Sequence, residues 1–272
     1  MKLFFLLLLS IPLFGVERII ALSPAINEIL FALDAGEKIV GNTEYCTYPP
    51  QAVKKPKVGG YFSPSLEKIL ALSPDIVITQ DNNAPLEQKL TQLGIKTMVF
   101  KIDTIDSIKK AIVAIAKPLN AQAKAALIIQ KIDKSLLAVK GVVKNKKILI
   151  VIGSPTDLSK EIYVAGQNLY FDEIIKASGN VNALQSSRKG QPVLNLEKIL
   201  TMNPDIVIIL APLMKERHIT REMVLKPWRN LPINASRTHT VFIEEGEYAG
   251  IPSDRVVHFI DDFGGVLRES KH

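Results

Sequence analysis

Two apolar patterns alternate along this 272-residue chain: stretches with apolar residues three or four apart, and short unbroken β-branched runs. The first marks one face of a helix. The second marks a strand covered on both sides, because a strand with one wet face alternates apolar and polar positions. The two patterns occur joined, twice. Residues 67–78 read EKILALSPDIVI and residues 197–208 read EKILTMNPDIVI, identical at nine of twelve positions with an offset of 130 residues. In each copy an acidic residue, Glu67 or Glu197, opens a short helical period (Ile69, Leu70, Leu72; Ile199, Leu200, Met202). A Pro-Asp turn follows, and the copy closes on a buried strand, Ile76–Ile78 or Ile206–Ile209. The offset far exceeds the period of a solenoid repeat, roughly 20–50 residues. Two similar α/β lobes are therefore expected, with the ligand cleft between them.

The first lobe reads as strands at Arg18–Leu22, Ile39–Gly41, Ile76–Thr79 and Lys96–Phe100. Its first helix starts with Ser23 as N-cap and Pro24 at the first helical position, and Gly36 is expected to end it. Ser63-Pro64 reads as a second cap and helix start; Pro85–Gly94 and residues 105–116 read as further helices. Pro118 interrupts, Asn120 is expected to cap a new helix over 121–140, and Gly141 stops it. A helix of that length spans ~30 Å and resists bending, so it bridges the lobes as a stiff connector. The second lobe reads as a strand at Lys147–Ile152, a helix from Leu169 to Ala177 ended by Gly179, a loop at Arg188–Pro192, and the second copy of the repeat. A mixed stretch at Lys215–Arg229, a strand at Thr240–Ile243, a polar loop at Glu244–Gly250 and a helix over Pro252–Arg268 complete it. The expected fold is α/β: two lobes, each a mainly parallel sheet flanked by helices, joined by one long interlobe helix. The partition is 1–15 as an export signal, 16–118 as the N-terminal lobe, 119–142 as the backbone helix and 143–272 as the C-terminal lobe, each lobe with its own core.

The chain begins with Lys2 and an apolar run over residues 3–9 that continues to Phe14. This matches a secretory signal peptide and falls short of the ~20 apolar residues a membrane span needs. No cysteine follows the run, so a lipid anchor is not expected, and the expected destination is the periplasm of a two-membrane bacterium. Cys46 is the single cysteine, which excludes an internal disulfide. The formal net charge of +7, from 34 basic and 27 acidic residues, is spread along the chain. No basic block interleaves with aromatics, so nucleic acid is not an expected partner. Catalytic signatures such as G-x-S-x-G, C-x-x-C or H-E-x-x-H are absent. Asp261 and Asp262 point about 100° apart on a helix and form no carboxylate dyad. His218, His239, His258 and His272 lack a chelating spacing, so no protein metal site is expected.

The run RIIALSPAINEILFALDAGEKIVGNTEYCTYPPQAVKKPKVGGYFSPSLEKILALSPDIVI carries in order a strand, an S-P-x-x-x-E helix, a Y-x-x-YPP loop, VGG and L-E-K-I-x-x-L-x-P-D. AGQNLYFDEIIKASG, the second LEKI unit, Pro227-Trp228 and the closing helix follow. As a set these resemble the substrate-binding proteins of bacterial iron-chelate, cobalamin and haem ABC importers, of the helical-backbone type. The resemblance implies a periplasmic component that binds a metal chelate (a ferric siderophore, cobalamin or similar) in the interlobe cleft and delivers it to permease subunits and an ATPase at the inner membrane. It implies a monomer with no intrinsic cofactor and no enzymatic activity. Family members dock through one glutamate per lobe onto permease arginines, and Glu67 and Glu197 stand at the matching positions. The competing role for each glutamate is to cap its own helix.

The ligand site is expected where strand ends of the two lobes meet. The first lobe offers Tyr45, Tyr48, Tyr61, Phe62 and the Gln80–Asn83 loop, and the second offers Tyr163, Arg188, Gln191, Glu247 and Tyr248. Tyrosines give flat faces for a macrocycle and phenols that ligate ferric or haem iron. Arg188, Lys189 and Arg217 suit an anionic chelate. Trp228 reads as a packing residue ahead of a surface strand. Haem, a nickel or cobalt chelate, and a secreted α/β enzyme are the alternative readings.

Overall fold

A computed structural model describes residues 15–186 and 190–271. Residues 1–14, on which the expected export signal falls, and Ser187, Arg188, Lys189 and His272 lie outside the described residues. The first part of the chain runs β1 (Ile19–Ala21), α1 (Pro24–Ala32), β2 (Ile39–Asn42), α2 (Pro50–Val53), α3 (Leu66–Ala71), β3 (Ile76–Gln80), α4 (Ala84–Gln92) and β4 (Lys96–Phe100). Two helices follow, α5 (Ile105–Ala116) and α6 (Gln122–Val139). The second part runs β5 (Lys147–Ile152), β6 (Ile162–Val164), α7 (Tyr170–Ala177), β7 (Val181–Asn182), β8 (Val193–Leu194), α8 (Leu196–Met202), β9 (Ile206–Leu210), α9 (Arg221–Arg229), α10 (Asn234–Arg237), β10 (Val241–Glu244) and α11 (Val256–Glu269).

The first sheet has the order β2-β1-β3-β4 and is parallel throughout. The second has the order β10-β9-β5-β6-β8, with β7 also paired to β5. Its β10, β9, β5 and β7 are parallel, while β6 and β8 add an antiparallel edge. The repeated sequence occupies the same place in both. Ile19, Ile20 and Ala21 pair with Ile76, Val77 and Ile78, and Ile148, Leu149 and Ile150 pair with Ile206, Val207 and Ile208.

The Pro-Asp turn sets that register. Asp75 Oδ2 accepts the backbone N–H groups of Glu17 and Arg18, each at 2.9 Å, and Asp205 Oδ2 accepts that of Lys147 at 2.8 Å. The basic residue in turn reaches back to the end of the preceding helix. Arg18 donates to Leu72 O at 2.6 Å, and Lys147 Nζ donates to Met202 O at 2.7 Å. Cations there satisfy carbonyls that the helix leaves unpaired.

Alternate strand residues face two different cores. Ile19 and Ala21, Ile148 and Ile150, and Ile206 and Ile208 join one buried cluster with Ile112 of α5, Ile132 of α6, Ile174 of α7 and Phe259 and Phe263 of α11. The opposite faces pack separately: Ile20 and Val77 with Ile69 in the first lobe, and Leu149, Val151 and Val207 with Trp228 in the second. The expectation of one private core per lobe is therefore corrected. Each sheet turns one face to a helical layer that both share, and the period-two alternation divides its residues between the layers.

Several local expectations change. Ser23 caps α1 as read, accepting from Ile26 N–H at 3.2 Å, but Asp34 takes the left-handed position after it (φ 60°). Gly36 serves close packing instead: a Cβ there would sit 2.3 Å from the Phe31 ring. Ser63-Pro64 starts no helix, since Pro64 bridges to Gly59 and Ser65 provides the cap of α3. Asn120 is left-handed (φ 56°) and closes a short 3₁₀ turn over Lys117–Leu119, so Ala121 precedes α6 without a side-chain cap. The mixed stretch contains α9, whose Trp228 packs fully buried, and α10 stands between that helix and the next strand, β10.

Candidate functional site

At the carboxyl edge of the first sheet, two loops are tied together by the bond from Glu44 N–H to Gly59 O at 3.0 Å. Gly59 has φ 114°, and a Cβ on it would meet Ser63 O at 2.7 Å, so only glycine fits this fold-back. The loop brings Tyr45, Gly60, Tyr61 and Phe62 together. A Cβ on Gly60 would lie 3.8 Å from the Tyr45 ring, and the Tyr61 and Phe62 rings meet edge-on at 4.6 Å. The Tyr61 hydroxyl donates to Gln80 Oε1 at 3.2 Å, at the last residue of β3. Burial, aided by the negative charge of Asp81, pushes this phenol above its ordinary pKa and keeps it a donor. Tyr45 is 62% and Phe62 76% exposed, so two large rings stand in solvent here.

A cavity of about 350 Å³ lies at the carboxyl ends of β5 and β9. Ile102 and Asp103, which follow β4, form its first-lobe wall; Ile152, Leu169, Phe171, Leu210 and Leu213 form apolar walls from the second. Gln191 and Arg217 supply polar groups from exposed positions, and Gly250 and Pro252 close another side. The carboxyl ends of parallel strands are where open α/β sheets bind ligands. The lobes are pinned beside the cavity by the bond from Tyr170 N–H to Asp103 O at 2.6 Å.

A third group lies between the lobes. Glu28 of α1 is 3% exposed; its Oε1 accepts from Arg255 Nη1 at 2.9 Å and its Oε2 from the Ser253 hydroxyl. Arg255 stacks over Tyr48 at 3.7 Å and stands 5.3 Å from the Tyr248 ring. Burial raises the pKa of Glu28, and its bonds to Ser253 and Arg255 oppose the rise. Burial, with the nearby Glu28 charge, pushes Asp254 up to about 7, and its Oδ1 is buried without a hydrogen-bond partner.

The expected site residues thus fall into separate places. Tyr45, Tyr61, Phe62 and Gln80 form one cluster, and Gln191 lines the cavity with Arg217. Tyr48 and Tyr248 flank Arg255, and Tyr248 donates to Asp262 at 2.5 Å, so neither lines the cavity. Tyr163 is exposed on β6, opposite Val193 of the antiparallel edge, and does not line the cavity. Glu247 is exposed in the segment leading to α11. Asp103, Phe171 and the Glu28–Arg255 pair were not singled out from sequence. Asn27-Glu28 inside the apolar period AINEILFAL was the available signal, because a charge on a buried helix face implies a partner.

Glu67 and Glu197 are exposed and occupy the second helical position of α3 and α8. The caps are Ser65 and Asn195, which accept from Lys68 N–H at 3.3 Å and Lys198 N–H at 2.9 Å. A capping box places its acid at the third position, held here by lysine in both copies. Neither glutamate side chain has a hydrogen-bond or ion-pair partner among the described residues. Among the described residues no group of three or more histidine, cysteine or acidic side chains could hold a metal ion.

Two lobes whose strand ends meet at a cavity define the architecture of a solute-binding protein. Residues 19–242 match the family described as periplasmic binding protein, and the chain belongs to that family. A vitamin B12-binding protein of Salmonella paratyphi A is 30% identical over 211 residues, 75% of this chain and 76% of that protein. The crystal structure of the periplasmic vitamin B12-binding protein of Vibrio cholerae superposes with a TM-score of 0.79 at 25% identity, covering 94% of this chain and 98% of that one. The periplasmic haem-binding protein of the same organism superposes with a TM-score of 0.77 at 22% identity, over 92% of this chain and 98% of that one. No helix of the described residues is long and apolar enough to cross a membrane.

Proposed function

We propose that this chain is the exported, ligand-binding component of an ATP-driven importer and that its cargo is a metal chelate of the corrinoid class, cobalamin. The observation that carries this reading is the cavity between the lobes at the carboxyl ends of β5 and β9, with the exposed rings of Tyr45 and Phe62 at the equivalent edge of the other sheet. A cavity of about 350 Å³ is too small to enclose a whole corrinoid. In this reading it takes one edge of the ligand, and the flat macrocycle rests on the aromatic loop. The vitamin B12-binding relatives support the choice.

Docking in this reading uses Glu67 and Glu197. Both sit on the same turn of the repeated unit, free of any capping duty, where a carboxylate can take a bidentate arginine. Equilibrium dialysis of the purified mature protein against cyanocobalamin, hemin and ferric hydroxamates tests the cargo. Saturable one-to-one retention of cyanocobalamin is expected. Retention of hemin or a ferric chelate in its place overturns the corrinoid assignment, and chemical conversion of any of them overturns the binding-protein reading.

A further inference from the structure

The segment between β10 and α11 is tied to both lobes at once. The buried phenol of Tyr170, on α7, donates to Ala249 O at 2.5 Å, and Tyr248 donates to Asp262 of α11 at 2.5 Å. Ser253 and Arg255 both bond to the carboxylate of Glu28, which belongs to the first lobe and lies more than 220 residues away in sequence. Between these ties, Gly250 and Pro252 form a wall of the interlobe cavity. Any shift of one lobe against the other must therefore move this wall.

A buried ion pair is a poor device for stability alone, since desolvation offsets most of the attraction and an apolar pair would pack at least as well. It fixes geometry instead, and the Arg255 guanidinium is further held by stacking over Tyr48. We propose that Glu28 and Arg255 are positioning residues for ligand binding: their contact sets where the Gly250–Pro252 wall stands relative to the first lobe, and its charge balance makes affinity depend on pH. The proposal rests on the cleft reading of function.

The charged and titratable groups around this contact are Glu28 on α1, Asp254 and Arg255 ahead of α11, Glu247, whose negative charge also acts on Glu28, and the buried Cys46 thiol, which the charge of Glu28 reaches. Tyr48 and Tyr248 flank the guanidinium, His258 and Asp262 lie against Tyr248, and Asp34 and Glu37 line the same hollow as Glu28 and Asp254. With Glu28 ionised and Asp254 neutral, Arg255 is matched by one charge. Raising the pH past about 7 ionises Asp254 and adds a second buried negative charge to the turn that carries the wall. Lowering it until Glu28 protonates leaves Arg255 unmatched. Affinity therefore peaks between these limits and falls on both sides.

The test uses the mature protein, Glu28→Gln, Arg255→Lys and Asp254→Asn, each checked for folding by circular dichroism. Without ligand, hydrogen exchange of the Ala249, Ile251 and Ser253 amides, corrected for intrinsic rates, reports the wall. Glu28→Gln and Arg255→Lys are expected to raise it at least tenfold. With cyanocobalamin as probe, Glu28→Gln is expected to weaken binding about tenfold and to lose the acid limb of the pH profile, while Asp254→Asn loses the alkaline limb. Exchange and pH profiles unchanged from wild type in all three variants overturn the proposal. Altered exchange in Glu28→Gln and Arg255→Lys, together with a wild-type protein that does not bind cyanocobalamin, would instead remove the corrinoid assignment and leave the positioning role standing.

Discussion

Asp205 receives the backbone N–H of Lys147 at 2.8 Å, while Lys147 returns its ammonium to Met202 O at 2.7 Å, so one residue pair fixes both the start of β5 and the end of α8. Asp75 and Arg18 do the same in the other lobe. Asp205 also accepts from Asn234 Nδ2 at 2.7 Å, which brings α10 under the turn.

Asp205→Ala is expected to destabilise the protein by about 1–3 kcal/mol, because the bonds from Lys147 and Asn234 lose their acceptor together. Asp75→Ala should cost less, since its site is open to water. The bonds from Glu17 and Arg18 hold the Asp75 carboxyl below its ordinary pKa. A depressed carboxylate stabilises the fold above its unfolded pKa, and that contribution is lost as pH falls through the folded value. The Asp75→Ala deficit, measured by urea denaturation, should accordingly shrink toward zero in acid below the usual aspartate range.

The double variant Glu67→Ala, Glu197→Ala should abolish ligand-dependent uptake in cells and leave solution affinity within twofold of wild type. Both side chains are exposed and partnerless, so stability should move by no more than about 0.5 kcal/mol. Uptake at the wild-type rate in cells lacking any other copy would remove the docking role.

Asp254→Asn should stabilise the protein in neutral and alkaline solution. Its carboxyl is raised to about 7 by burial and by Glu28. A group raised on folding stabilises fully below its unfolded pKa, near 4, and that benefit drains away as pH climbs to the folded value. The neutral amide escapes the drain, so the melting temperature of the variant should exceed wild type at pH 8 by several degrees, a gain of at most a few kcal/mol. The two curves should converge near pH 4.

Phe62→Ala and Tyr45→Ala should each weaken cyanocobalamin binding several-fold, in line with about 0.5–1.5 kcal/mol for an aromatic contact. Thermal stability should hold, since both rings already stand in water. Tyr61→Phe removes only the hydroxyl that Gln80 accepts, and should leave the absorption spectrum of bound ligand unchanged.

Much of the fold was legible because strand burial writes itself plainly: the runs at 76–78 and 206–208 became central strands with the repeat in matching register. Ser23 was readable as a cap because side-chain capping is local chemistry. Gly36 and Asn120 misled for the opposite reason, since a glycine may answer a distant ring and an asparagine may close one turn as readily as open the next. In the site, Tyr61 and Gln80 met as neighbours of one sheet edge. Tyr48 and Tyr248 did not line the cavity because a residue some two hundred positions from the first, Arg255, claims their faces, and no local pattern announces such a pairing.

The buried layer of α5, α6, α7 and α11 has a consequence for how this chain can be divided. A fragment ending before α6 would strip α5 of the helix packed on it, and a fragment starting after α6 would strip α7 and α11 of theirs. The halves look alike, yet each loses a packing partner when the chain is cut at α6. Evolution of such a protein can exchange loops at the rim, but it cannot shuffle one half against a foreign partner without rebuilding the seam.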